Sequence, residues 1–346
     1  MPDIIDIFLG PEFASTQLTA WANEEYTTDN YFLTRLAFAP AQGMLGTKRT
    51  FDTGDIQYRL VSSVPRGAPP SQVAPDRREY RALEAKHFKR MAYVNADEVL
   101  DLKRFDALTP VGVLDLLQDK VAKVREEFNQ THEHLLFGLV DGLVLDGDGQ
   151  TTLYDHYDWL GVPRPAPLPV DLAGMTADTA KMAAFATALK RHQAVGMGGA
   201  IPGGAQTIIL CGDDLYDAVY GSPERRGALV NGATGNPRAV EIMAETVPEG
   251  AFSYAGITWV NYKSPPGSPL QIAPREGRAF LNGVAGLFET WYAPADTVEQ
   301  VSNIGLSLYV LRDPQEQTMR RLTTEVQTSP LLVCTRPQHL RRISRT

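Results

Sequence analysis

Residues 109–149 read TPVGVLDLLQDKVAKVREEFNQTHEHLLFGLVDGLVLDGDG, and this stretch decides the fold. Thr109 suits an N-cap, because its hydroxyl can accept from a free amide of the first turn. Pro110 fits the first helical position, where no N–H is needed, and Asp115 adds a carboxylate to the early turns. Apolar residues then recur at Val111, Leu114, Leu117, Val121, Val124, Phe128, Leu135, Leu139 and Leu143, in steps of three, four or seven. That spacing lines one face of an α-helix. On the opposite side Asp119 precedes Lys123 by four residues, the favourable order for a surface pair. The run is expected to end at Asp146-Gly147-Asp148-Gly149, a natural cap and turn. At 1.5 Å per residue, about 36 residues span about 54 Å. A helix of that length acts as a spine.

N-terminal to it, residues 1–45 carry Phe8, Phe13, Trp21, Tyr26, Tyr31, Phe32 and Phe38 with weak periodicity. Such a stretch buries little of itself and reads as an extended arm with one short helix near 15–25. Residues 46–96 read as a long charged hairpin. Phe51, Ile56, Tyr58, Leu60 and Val61 include a strand-like set of period two. The Pro/Gly/Ser-rich stretch 65–75 marks a tip, and Met91-Ala92-Tyr93-Val94 closes the return. The element is too polar for a core and too long for an ordinary turn.

C-terminal to the spine, 151–159 suits strands of a small hairpin, and the four prolines of 163–169 mark a boundary. A first domain therefore spans 97–164 and a second 165–300. In the latter, 176–193 reads as an Ala-rich helix and 207–211 as a buried strand. Residues 213–220 suit a helix capped by Asp213, and 252–262 and 278–291 suit strands turning at Gly256 and Gly283. From Ile304 onward, Leu306, Leu308, Val310, Met319, Leu322, Val326 and Leu331-Leu332-Val333 suggest strands returning to the spine, so 301–346 is expected with the first domain. Helices and strands mix without regular alternation, which argues for an α+β class.

Composition bounds the function. The 346 residues allow two domains. A formal net charge of −8 argues against a protein gripping nucleic acid over a broad face. It is compatible with a container wall along which packed DNA must slide. The basic residues gather at Arg77, Arg78, Arg81, Lys86, Lys89 and Arg90, and again at Arg336, Arg341, Arg342 and Arg345; both sets read as solvated or subunit-facing surfaces. The apolar run 135–145 is broken by Gly138, Asp141 and Gly142, so no membrane span is expected. The start Met1-Pro2-Asp3 has no signal-peptide character, and two cysteines make no disulfide framework, which fits folding in the cytosol.

Catalytic patterns are missing, and no catalytic, cofactor-binding or metal-binding residue is assigned. Gly196-Met197-Gly198-Gly199 and Gly203-Gly204 lack the Lys-Ser/Thr of a phosphate loop and follow a helix instead of a strand. Asp146, Asp148 and Asp155 miss the calcium-loop spacing, since Thr151 stands where glycine is required. His132 and His134 lie two apart on a helix and cannot share a metal. His87, His156, His192 and His339 are scattered, and neither Cys211 nor Cys334 sits in an activating motif.

The order of parts is similar to the subunit of tailed-phage capsids (the Hong Kong 97-type fold, shared with encapsulins and the floor of herpesvirus capsids). Five stretches go further and resemble the phage lambda head protein E family. They are 133–142 (EHLLFGLVDG), 207–217 (TIILCGDDLYD), 273–284 (APREGRAFLNGV), 288–296 (FETWYAPAD) and 327–337 (QTSPLLVCTRP). The resemblance implies a major capsid protein that self-assembles into hexamers and pentamers of an icosahedral shell around the viral DNA. It further implies a peripheral first domain, an axial second domain, a hairpin overlapping a neighbouring subunit, a separate scaffold, a decoration protein and a portal. Assembly would take place in the bacterial host cytoplasm, with no cofactor and no membrane.

Overall fold

The computed structural model of the chain describes residues 14–24, 31–52, 79–98, 110–176, 179–227, 250–265, 267–312 and 321–346. Several expectations lie outside them: the arm aromatics Phe8, Phe13 and Tyr26, the strand set Ile56, Tyr58, Leu60 and Val61, the tip 65–75, Arg77 and Arg78, the Thr109 cap and Met319. The expected α+β class is what the described elements form.

The spine helix is Pro110–Asp141, and its two halves lie in different surroundings. In the first half Leu117, Val121, Val124 and Phe128 are buried while Asp119 and Lys123 are exposed, the expected single stripe. This stripe packs under a three-stranded antiparallel sheet of Tyr309–Arg312, Arg321–Thr328 and Phe88–Asn95. Along the last of these strands Ala92 and Val94 face the core and Lys89, Met91 and Tyr93 face outward, the period of two a half-buried strand requires. In the second half every residue from Glu133 to Val140 is buried. Here the helix passes through the main core, against Leu33, Phe38, Phe280, Phe288 and Leu331 to Cys334.

The helix stops earlier than the spacing predicts. Gly142 adopts φ +77°, a left-handed conformation open to glycine at little cost, and ends it. The apolar step to Leu143 therefore belongs to a strand, Leu143–Leu145, which pairs antiparallel with Thr152–Asp155. Gly138 allows this reversal, because a Cβ there would lie 2.9 Å from Leu143 O and Val144 Cα. Of the stretch 151–159 expected as hairpin strands, Thr152–Asp155 forms one, and a short helix, His156–Leu160, follows because the Asp155 carboxylate accepts from the amides of Tyr157 and Asp158.

The arm helix is Ser15–Glu24. It covers the open edge of strand Tyr309–Arg312, with side chains standing in for a missing strand. Thr19 Oγ1 donates to Val310 O and accepts from Val310 N–H, Ser15 Oγ accepts from Arg312 N–H, and Asn23 Nδ2 donates to Leu308 O. This is one way a sheet edge is shielded. Farther on, Ala41–Gly43 pairs in parallel with Phe288–Tyr292, which pairs with Pro330–Cys334.

A six-stranded sheet forms the other unit, in the order Leu168–Val170, Arg341–Arg345, Glu276–Asn282, Gln206–Cys211, Ile257–Asn261, Ala251–Tyr254. Helix Lys181–Gly196, which starts five residues later than expected, and helix Asp213–Tyr220 supply Met182, Phe185, Leu189, Leu215 and Val219 to its own core around Trp259. Asp213 is not a cap: Gly212 holds that position and Asp213 is the first helical residue. The turn at Gly256 is a tight two-residue reversal with Ala255, both at positive φ. The tail strands 309–334 stand with the spine and its neighbours, whereas the final strand Arg341–Arg345 is hydrogen-bonded into the six-stranded sheet.

Phe128→Ala should cost about 3–5 kcal/mol in denaturant unfolding, because it empties a nearly buried aromatic site. Lys123→Ala, on the exposed side, should cost under about 0.5 kcal/mol. Equal losses would refute the assignment of faces.

Candidate functional site

The residues considered for chemistry are each occupied structurally. The 196–204 glycines turn the chain between helix and strand. Gly196 abuts the backbone of Gln338 and His339, while Gly198, Gly199 and Gly204 adopt positive φ. Asp148 closes its own turn, accepting from Gln150 N–H and Thr151 N–H at 2.8 Å and from Thr151 Oγ1 at 2.6 Å, and these bonds hold its carboxyl below the usual range. His134 packs with Ser268 Oγ at 2.8 Å and the carbonyls of Leu145 and Asp146. His156 lies against Leu332 O, His87 against Ser329 Oγ and His339 against Arg336 O. His192 is exposed near Arg341. Both cysteines are buried free thiols, and burial pushes Cys211 up and Cys334 up to about 12, far from a reactive thiolate. Among the described residues no three His, Cys, Asp or Glu side chains could hold a metal. No described helix is long and apolar enough to cross a membrane. One open groove, about 370 Å³, lies between 88–90, 127–134, Pro265 and 267–269, and its Arg90 is paired to Glu127 at 2.9 Å.

The polar groups that do converge join structural units. Glu133, buried on the spine, accepts from Leu33 N–H (3.0 Å) and Tyr262 O–H (3.0 Å) at Oε1, and from Thr34 N–H and Oγ1–H (2.8 Å each) at Oε2. The arm residues 33 and 34 belong to the short helix Phe32–Leu36, whose N-cap Tyr31 makes no side-chain cap bond. A carboxylate from a hundred residues away supplies the cap instead. Eight residues on, Asp141 ends the spine against two guanidiniums. Arg278 Nε lies 2.8 Å from its Oδ1, and Arg342 grips both oxygens. An acidic residue at a helix C-terminus opposes the helix dipole, and the two cations offset it. The side-chain bond to Asp141 raises the Arg342 pKa further.

The hairpin leaves the body as a two-stranded ribbon, Lys48–Asp52 paired with Tyr80–Glu84. Of its residues only Phe51 is buried. Tyr154 fastens its exit, donating to Glu84 O and accepting from Lys86 N–H, and Arg81 donates to Trp159 O. Exposed large apolar side chains occur at Tyr80, Met91 and Tyr93, and at Leu45, Val298, Val301, Ile304 and Leu306. Sequence reasoning missed Glu133 as a junction, because its donors come from residues 33, 34 and 262. It also missed the 298–306 surface, whose only signal is aliphatic residues in an otherwise polar loop.

Burial dominates at Glu133 and raises its pKa above the ordinary carboxylate value. Between the unfolded and folded values the native state holds a proton that the unfolded chain has lost. Stability therefore falls as pH rises through the raised pKa, and is highest below the unfolded one. Glu133→Gln should remove that component, so its stability falls less with rising pH in urea titrations. Parallel curves for the two proteins would contradict this.

The fold and its junctions can be set beside known proteins. The family model of the phage major capsid protein E matches residues 14–344. No curated protein matches significantly. Solved structures similar to the chain include a virus-like particle from Pyrococcus furiosus, with a TM-score of 0.46, 10% identity, and 95% of this chain and 98% of that one covered. They also include the capsid of cyanophage A-1(L), at 0.46 and 13% identity, covering 92% and 95%, and the capsid of Myoviridae phage XM1, at 0.46 and 11%, covering 94% and 95%. The assignment rests on the family match, which spans nearly the whole chain and agrees with the stretches around Glu133, Trp291 and Pro330: this chain belongs to the phage major capsid protein E family.

Proposed function

We propose that this major capsid protein assembles with copies of itself into hexamers and pentamers of an icosahedral shell enclosing DNA. In this reading the unit around the spine is peripheral (97–164 with strands Tyr309–Arg312, Arg321–Thr328 and Pro330–Cys334), and the unit of 165–300, joined by strand Arg341–Arg345, gathers around each capsomer axis. The exposed ribbon at 48–52 and 80–84 carries the proposal. An isolated two-stranded ribbon is marginal in water, and this one fully buries only Phe51, with Arg49 and Leu83 half-buried against its own body. A neighbour lying against it would supply the missing burial, and symmetry would repeat that contact around the ring. The contrast between the two edges of the three-stranded sheet also supports the reading. The arm helix covers Tyr309–Arg312, while among the described residues no strand pairs with the outer edge of Phe88–Asn95. Assembly in the host cytoplasm on a separate scaffold, with a decoration protein and a portal, completes it. The acidic balance suits a wall that encloses DNA without gripping it.

Deleting 66–74 from the hairpin should leave a soluble subunit with an unchanged melting curve that forms few closed particles in negative stain. Normal shells from the deleted chain would refute an intersubunit role for the hairpin.

A further inference from the structure

Five large aliphatic side chains stand in water at the junction of the hairpin base and the loop 297–308. Leu45 is 67% exposed, Val298 92%, Val301 68%, Ile304 62% and Leu306 45%. All but Leu45 come from this one loop, which crosses the chain beside Leu45. Val298 opens the 3-10 turn Val298–Gln300, and Val301 continues it at φ −55° and ψ −31°, so residues three apart share a side. Gly305 N–H donates to Met44 O at 3.1 Å. A Cβ on Gly43 would lie 2.3 Å from both Ile304 Cγ2 and Gly305 O. The loop therefore crosses the chain beside Leu45, with Ile304 and Leu306 flanking the crossing.

Charge and area together select what covers this surface. Between Thr297 and Leu308 the only charged residue is Glu299, in a chain of net charge −8. Two copies repel through most of their surface, and a neutral aliphatic belt is where they can meet without opposing like charges. A nucleic acid would find no cation within 297–308, and nearby Lys48 and Lys89 are paired with Glu84 and Asp296. The five side chains expose on the order of 500 Å², as much as the largest apolar patches of ordinary monomers yet short of the ~800 Å² per partner of a stable two-body interface. One such contact is too small to hold a dimer in dilute solution. Repeated around closed rings, where each subunit both gives and receives, it adds up.

We infer that the surface of Leu45, Val298, Val301, Ile304 and Leu306 docks a second copy of this chain. The inference rests on the shell reading and adds to it the residues and the aliphatic chemistry of one contact. Two experiments on the full chain expressed in bacteria test it. In the first, Val298→benzoylphenylalanine is irradiated in cells, and the adduct is identified by mass spectrometry. An adduct to a peptide of this chain is expected. A main adduct to any other protein overturns the inference, as does no adduct while negative stain shows particles. A self-adduct without hexamers, pentamers or shells leaves the surface standing and refutes the shell reading; absence of both adduct and particles refutes both. In the second, Val298→Glu with Val301→Glu should melt as the wild type does, since both side chains are exposed. The threshold concentration for assembly, read by light scattering, should rise about tenfold or more, the effect of about 1.4 kcal/mol per contact. An unchanged threshold overturns the inference.

Discussion

A buried carboxylate with four donors holds three parts of this molecule in register. Glu133 sits on the spine, Leu33 and Thr34 in the arm, and Tyr262 just past a strand of the six-stranded sheet. Taking a carboxylate out of water costs several kcal/mol, which only well-placed donors offset. Two of the donors are backbone amides that cannot turn to accept, and each oxygen receives one of them. The geometry therefore serves the ionised form, although burial favours the neutral one. That tension makes the site strict. An arm shifted by one residue would leave amides without acceptors and a buried carboxylate without donors.

The same helix is fixed again at its last residue, Asp141, by Arg278 and Arg342 from two adjacent strands of the six-stranded sheet. Between these points all residues are buried, so the last turns of the spine are part of the main core and not a surface stripe. The first half is tied more loosely, by a stripe of apolar side chains under the three-stranded sheet. Phe38, edge-on to Phe288 and tilted against Phe280, adds the arm to the same core. A subunit built this way can present a ribbon and an aliphatic loop at its rim, because the units behind them are joined by directional bonds and packing together.

Local patterns in the sequence were enough to reveal the spine, the arm helix, strand Gln206–Cys211 and the reversal at Gly256, since each depends on spacing or turn chemistry within a few residues. The early helix stop was harder to see, because Leu143 continues the helical spacing while Gly142 breaks the backbone beneath it. Helix Phe32–Leu36 has no local cap and owes its first-turn bonds to Glu133. The parallel pairing of Ala41–Gly43 with Phe288–Tyr292, and the placement of Arg341–Arg345 between Leu168–Val170 and Glu276–Asn282, join residues far apart in the chain. No periodicity encodes such partners. The family-like stretches around Glu133 and Arg278 did contain both junctions, but their roles emerge only when the donors are placed in space.

The most direct test is native-state hydrogen exchange on the wild type and on Glu133→Ala. If the carboxylate holds the arm to the spine, the Leu33 and Thr34 amides should exchange in the wild type only through large-scale opening. In the variant they should lose most of that protection, while amides in the spine's first half, around Val121 and Val124, keep theirs. Unchanged protection at Leu33 and Thr34 would contradict the account, because the arm would then be held by its apolar contacts alone.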